Sequence, residues 1–194
     1  MTHSPTHSEL LADDIRRAAG RSATPFIIAI DGRSGVGKSI LARALASELN
    51  AGLIEGDDFY AGGVTVRSEP PEILAAICMD WRRLGQTLAA LVQTGTTTYF
   101  PFDWARFDGR LAATPKTLTA KPFIILEGVY TARPELRPQI DMCVLAVAKR
   151  SVRLARLKQR EGPMTEWERQ WHRAEDHYFA EIAPADGFEK IIHL

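Results

Sequence analysis

Two cysteines, no net charge and no apolar run of membrane-spanning length are the first things this sequence shows, and each shortage removes a class of protein. Cys78 and Cys143 both sit among apolar neighbours (Ile77 and Met79; Met142 and Val144). That context reads as two buried thiols in a reducing compartment rather than a disulfide-stapled secreted domain, so a cytoplasmic location is expected. Lys and Arg number 24 against 24 Asp and Glu, which leaves no charge excess to organise binding to nucleic acid or to an anionic membrane. The longest apolar runs, 26–30 and 123–126, fall far short of the roughly 20 residues a spanning helix needs. Residues 1–9 lack the basic start and apolar stretch of a secretory leader. The separated His3 and His7 read as part of a frayed tail rather than a metal pair. Internal repeats and low-complexity segments are absent, and nothing in the pattern fixes an oligomeric state.

The 194 residues suffice for one α/β domain with a full core, taken here as a single unit over 1–194 with an N-terminal tail and helix over 1–20. Ser8 is the candidate cap of that helix, Leu10, Leu11, Ile15 and Ala18 its inward face, and Gly20 its end. Apolar runs at 26–30, 53–55, 123–126, 142–148 and 188–194 read as strands. Helices are expected at 38–49, over most of 72–93, at 150–160 and from Thr165, the last with Trp167, Trp171, Ala174, Tyr178 and Ile182 inward. Residues 96–115 read as a turn-rich aromatic segment. Strands alternating with helices predict a parallel five-stranded sheet covered on both faces, a three-layer sandwich.

The chemistry enters after the first strand. Gly32-Arg33-Ser34-Gly35-Val36-Gly37-Lys38-Ser39 satisfies every fixed position of the phosphate-binding loop pattern, between a strand and a helix. Glycines let successive backbone N–H groups curl toward phosphate oxygens, and the helix start adds its positive end. Lys38 supplies a compact cation to the β- and γ-phosphates, and the Ser39 hydroxyl is a hard ligand for Mg²⁺. Ile40, which ends the stretch of candidate nucleotide contacts from Gly32, stands where such loops commonly carry threonine.

Three further features choose among nucleotide users. Asp57, in Asp57-Asp58-Phe59-Tyr60, follows a strand whose C-terminal end faces the ligand crevice and is placed to accept a hydroxyl proton; a solvated turn aspartate is the alternative. Glu127, closing the run 123–126, resembles a Walker B acid that holds Mg²⁺; a charge ending a buried strand is the plainer reading. Arg153, Arg156 and Arg160 share about a 60° arc of one helix ahead of the Gly162-Pro163 break, which reads as a lid over about 150–165 that closes on the triphosphate; a solvated basic face is the alternative.

Taken with the phosphate loop, the motifs Asp57-Asp58-Phe59-Tyr60, Asp80-Trp81, Pro101-Phe102-Asp103, Leu126-Glu127-Gly128 and the segment 153–160 resemble the uridine kinase and phosphoribulokinase-like branch of the P-loop kinases over nearly the whole chain. The resemblance implies ATP and Mg²⁺, strand order 2-3-1-4-5, Asp57 as general base, and arginines of the segment 153–160 as the lid. Lys38, Asp57 and Arg156 are the candidates for the chemical step, and Ser39 and Glu127 for the metal. The acceptor candidates are Asp57, Tyr60, Phe102, Asp103, Trp104, Arg110 and Glu127. The acceptor half departs from uridine kinases: Phe102 replaces a tyrosine, no histidine follows before Arg110, and a Phe-Asp-His-Pro element is missing ahead of Asp80. The expected function is therefore transfer of a γ-phosphate to a hydroxyl of a small molecule, by family default a nucleoside. The alternatives are a sugar, vitamin precursor or natural product as acceptor, or a regulatory nucleotide-binding module. A nucleoside monophosphate kinase would need a second set of phosphate-gripping arginines, for which Arg67, Arg106 and Arg110 are the candidates.

Overall fold

A computed structural model describes residues 6–21 and 24–194; His3 and part of the connector after Gly20 lie outside them. Five parallel strands form the sheet: β1 (Phe26–Asp31), β2 (Gly52–Glu55), β5 (Phe123–Glu127), β6 (Met142–Val147) and β7 (Lys190–His193), in the order β2-β5-β1-β6-β7. Counting sheet strands alone, this is the expected 2-3-1-4-5 order. β1 lies at the centre, with Ile28 beside Ile125 of β5 and Met142 of β6.

The two-residue period of β1 sorts its side chains between two cores. Ile28 and Ile30 join Leu11 and Ile15 of α1 (His7–Ala19) and Leu41 and Leu45 of α2 (Lys38–Leu49) on one face. Ile27, with Ile54, Ile124 and Leu126, meets α3 (Pro71–Ile77), α4 (Trp81–Thr94) and α6 (Glu166–His177) on the other. Both faces are covered, so these strands read as continuous apolar runs. Each fully buried Ile or Leu is worth about 1.5–3 kcal/mol relative to exposure. Among the described residues, no helix is long and apolar enough to cross a membrane. Cys78 and Cys143 are buried free thiols.

Several local expectations change. Leu10 and Ala18, expected on the inward face of α1, are exposed, and Ala12 joins Leu11 and Ile15 there instead. Thr6, not Ser8, caps α1: its hydroxyl accepts the Glu9 N–H, and Glu9 bonds back to the Thr6 N–H. The reciprocal box needs a Glu three residues on, which Thr6 has and Ser8 lacks. The stretch 72–93 splits into α3 and α4, because residues 59–61 bond across to 78–80 and Asp80 recaps the chain by accepting the Arg83 N–H. The segment 96–115 contains the first strand of an antiparallel hairpin, β3 (Thr96–Tyr99) with β4 (Lys116–Thr119). Its threonines favour strand without forming an apolar run, which hides it from an apolarity search. After β6 the arginine-bearing helix α5 (Arg150–Glu161) leads into α6, which Thr165 and Glu168 cap with a second reciprocal box.

Candidate active site

The C-terminal ends of β1, β2 and β5 converge on one crevice of about 650 Å³. The phosphate loop leaves β1 at Gly32, whose backbone presses so close to Ala146 that a Cβ would stand 2.3 Å from that carbonyl oxygen. Gly37 adopts φ 105° and starts α2, so Lys38 and Ser39 are its first residues. The buried Lys38 ammonium folds back over the loop, 3.3 Å from the Arg33 carbonyl oxygen.

Asp31 locks the base of this loop. Its carboxylate accepts the N–H groups of Gly32 (2.6 Å), Tyr130 (3.0 Å) and Ala132 (2.9 Å) and the Tyr178 hydroxyl (2.7 Å). Complete burial nonetheless pushes its pKa up to about 6.

Ser39 and Glu127, 88 residues apart, meet: the Ser39 hydroxyl donates to Glu127 Oε1 at 3.1 Å. Glu127 Oε2 is buried with no hydrogen-bond partner among the described residues. Burial raises the Glu127 pKa, against the pull of the Lys38 charge. A hydroxyl and an orphaned carboxylate oxygen side by side fit a hard divalent cation such as Mg²⁺.

The adjacent aspartates have different surroundings. Asp58 is buried and held by the Tyr99 hydroxyl at 2.8 Å and the Lys116 ammonium at 2.8 Å, which also reaches Glu55 at 2.6 Å. It ties the hairpin to the end of β2. Asp57 faces the crevice, open to solvent yet walled by protein; that enclosure raises its pKa above the usual carboxylate value, opposed by Lys38 and Arg160.

The arginines of α5 expected to form a lid sort into two groups. Arg153 donates to the Ser34 carbonyl (2.5 Å) and Arg156 to the Val36 carbonyl (2.8 Å), so both brace the loop through its backbone. Arg160 lines the crevice. Arg33 turns outward to pair with Asp176 and lie over the Phe179 ring. Ile40 is exposed beside the loop.

Of the acceptor candidates, Asp57, Tyr60, Trp104 and Glu127 line the crevice. The Tyr60 ring sits 5.0 Å from Trp104, 5.7 Å from Trp171 and 6.1 Å from Trp167. Phe102 is buried behind Tyr60 and Trp104 as a backing ring. Asp103 turns back to accept the Arg106 N–H, and Arg110 is exposed with its guanidinium near Asp108.

Sequence reasoning missed several members. Trp167 and Trp171 read as core stripe but also line the crevice. Glu175, on the same inward face, is 4% exposed and accepts the Ser34 N–H at 3.2 Å and the Ser34 hydroxyl. The available signal was a carboxylate directly beside Ala174 on a buried stripe. Tyr130, which lines the crevice after Gly128, takes φ 72°, a conformation costly for a bulky side chain.

No family model and no curated protein matches the chain. Solved structures do. A possible uridine kinase from Bacillus stearothermophilus superposes with TM-score 0.72 at 19% identity, covering 95% of this chain and 96% of its own. A kinase proposed for a fructose transport system of Silicibacter sp. TM1040 gives TM-score 0.69 at 21% identity, over 97% and 100%. D-glycerate 3-kinase from Cryptococcus neoformans gives 0.67 at 13% identity, over 98% and 96%. The chain shares the fold of these solved structures.

Proposed function

We propose that the protein is an ATP-dependent kinase that transfers the γ-phosphoryl group to a hydroxyl of a small ring-bearing molecule. The observation that carries this reading is the shared crevice: phosphate loop, Ser39–Glu127 pair and Asp57 at one end, aromatic walls at the other. A regulatory module needs the first end and has no use for the second.

Backbone N–H groups of the loop and Lys38 hold the triphosphate, and Arg153 and Arg156 keep the loop in shape by holding its carbonyls. Ser39 and Glu127 would hold Mg²⁺, which when bound neutralises phosphate charge. The acceptor hydroxyl approaches Asp57, which takes its proton as the oxygen attacks the γ-phosphorus and ADP departs. Lys38 and Arg160 face the charge that spreads over the transferring oxygens. Asp57 is suited to this exchange because its raised pKa brings it closer to neutrality than an exposed aspartate. The buried thiols suit a cytoplasmic setting.

ADP release measured across hydroxylated ring compounds, with Lys38→Ala as control, tests the reading. Lys38 opens a helix where Ala is well tolerated, so the variant should fold. Its turnover should fall by about 10²–10³ or more; a folded Lys38→Ala protein with unchanged turnover would sink the kinase assignment.

A further inference from the structure

The far end of the crevice carries its own signature of charge and ring faces. Tyr60, Trp104, Phe107, Trp167 and Trp171 supply its walls. Carboxylates dominate the polar lining, with Arg160 the one arginine or lysine among the lining residues. That guanidinium is already engaged with Glu161. The arginines that an anionic acceptor would need are committed elsewhere: Arg67 pairs with Glu69, Arg106 with Asp103 and Arg110 with Asp108. Lys116 is shared by Glu55 and Asp58.

Glu168 is the carboxylate set among these rings. It lies between Trp167 and Trp171 on α6 and lines the crevice, and its carboxylate accepts the Thr165 N–H and, at 2.7 Å, the Thr165 hydroxyl. As for Asp57 and Glu127, no Lys or Arg among the described residues pairs with it at ion-pair distance; its neighbours are His172 on the next turn and the Glu161 carboxyl. Two further polar groups of the lining have hydrogen-bonding capacity to spare. Tyr130 is 5% exposed and its hydroxyl meets only the buried Cys78 thiol, a weak hydrogen-bonding partner; the Trp171 indole N–H is buried and unpaired among the described residues. A phenolic oxygen can accept from an ammonium, and an indole N–H needs an oxygen to donate to.

We infer that the acceptor is an amino alcohol, a ring-bearing hydroxyl compound with a protonated amine held by the faces of Trp167 and Trp171 and the Glu168 carboxylate. This rests on the kinase reading and adds the sign of the acceptor's charge. Trp and Tyr faces attract organic cations, and a carboxylate in a partly enclosed site reinforces the attraction. Bound MgATP is itself anionic, which leaves the crevice still more favourable to a cation.

Three compounds of one shape and differing charge test it: phenylalaninol (cationic), 3-phenylpropane-1,2-diol (neutral) and 3-phenyllactate (anionic). Binding to the ADP-loaded protein is read by tryptophan fluorescence, so the result does not depend on turnover. Phenylalaninol should bind about five- to thirty-fold tighter than the diol, and phenyllactate weakest. Glu168→Gln keeps the helix cap, because Gln also closes a capping box, and removes only the charge. It should abolish the preference for phenylalaninol while leaving diol binding unchanged. Tyr130→Phe deletes a hydroxyl whose only protein partner is the weak Cys78 thiol, so it should weaken phenylalaninol binding with little change in melting temperature. Equal binding of the amino alcohol and the diol, or a preference that survives Glu168→Gln, overturns the inference. Charge-selective binding without ADP release from ATP for any hydroxylated compound would instead retire the kinase reading and leave the cation site standing.

Discussion

Asp57 and Asp58 are neighbours with the same side chain, yet Asp58 is tied down by Tyr99 and Lys116 while Asp57 lines the crevice, and two substitutions should separate the roles proposed for them. Asp57→Asn keeps the shape and removes the base, so kcat should fall by about 10²–10⁴ while ATP affinity changes little. Wild-type kcat/KM should decline toward acid pH, because protonated Asp57 cannot take the hydroxyl proton. The midpoint should lie above the usual carboxylate value, since enclosure raises this pKa, and that acid limb should vanish in the Asn variant. A pH–rate profile in which both proteins fall together would assign the limb elsewhere. Asp58→Ala should act on stability instead. It strands the buried Tyr99 hydroxyl and takes one carboxylate from Lys116, a loss of about 1–3 kcal/mol that urea unfolding would read. Sequence could place both aspartates at the end of β2 but could not tell them apart, because the partners of Asp58 lie on a hairpin about 40–60 residues downstream. Glu127→Gln belongs with Asp57: it keeps the Ser39 contact and weakens the metal site, so the Mg²⁺ concentration for half-maximal rate should rise. An unaltered Mg²⁺ titration would remove Glu127 from the metal.

Helix α6 links more of the site than any other single element. Its first half holds the 62–67 loop: the Trp167 indole donates to the Gly63 carbonyl at 3.3 Å, and Gln170 accepts the Arg67 N–H at 2.8 Å. Its second half reaches the phosphate loop through Glu175 and Asp176. The helical period of its apolar residues was legible, as were its start at Thr165 and its inward face. The role of Glu175 was not, because a buried carboxylate gains its meaning from a loop 141 residues away. Glu175 and Arg153 lie 3.9 Å apart with side chains 5% and 7% exposed. Breaking such a buried pair from one side leaves a charge without compensation, so Glu175→Gln should cost about 3–5 kcal/mol at most. The double variant with Arg153→Met should cost less than the sum of the two, with a coupling of about 0.5–3 kcal/mol. Additive losses in urea unfolding would mean that the two groups stabilise the protein independently.

Across the whole molecule, what could be read from the chain was what depends on nearby residues: strands as apolar runs, the phosphate loop as a contiguous motif, helices as periodic faces. Of the crevice's ring walls, Tyr60 and Trp104 were among the acceptor candidates, whereas Trp167 and Trp171 come from a distant helix read only as core stripe, and Phe102, which the motif position singled out, lies behind the walls. That chamber sets a final expectation about uridine. A pyrimidine edge presents several polar groups, and each one left buried and unpaired costs about 1–3 kcal/mol, a five- to hundred-fold loss. Ring walls can stack on the base, but Asp103 and Arg110, the polar groups at the motif positions, are turned away from its edge. Turnover of uridine should therefore give kcat/KM below about 10⁴ M⁻¹s⁻¹, under the usual enzyme range. Trp104 connects the chamber to the chemistry, because its indole N–H donates to the Asp57 carbonyl at 3.0 Å. Trp104→Phe keeps a ring for stacking and loses that bond, so it should lower kcat more than it raises the acceptor KM. Trp104→Ala loses both and should raise the acceptor KM as well, with the KM for ATP nearly unchanged, because Trp104 lies on the acceptor side of Asp57. Uridine turned over at 10⁴ M⁻¹s⁻¹ or faster, or a Trp104→Ala effect confined to ATP, would mean that these rings only pack the protein.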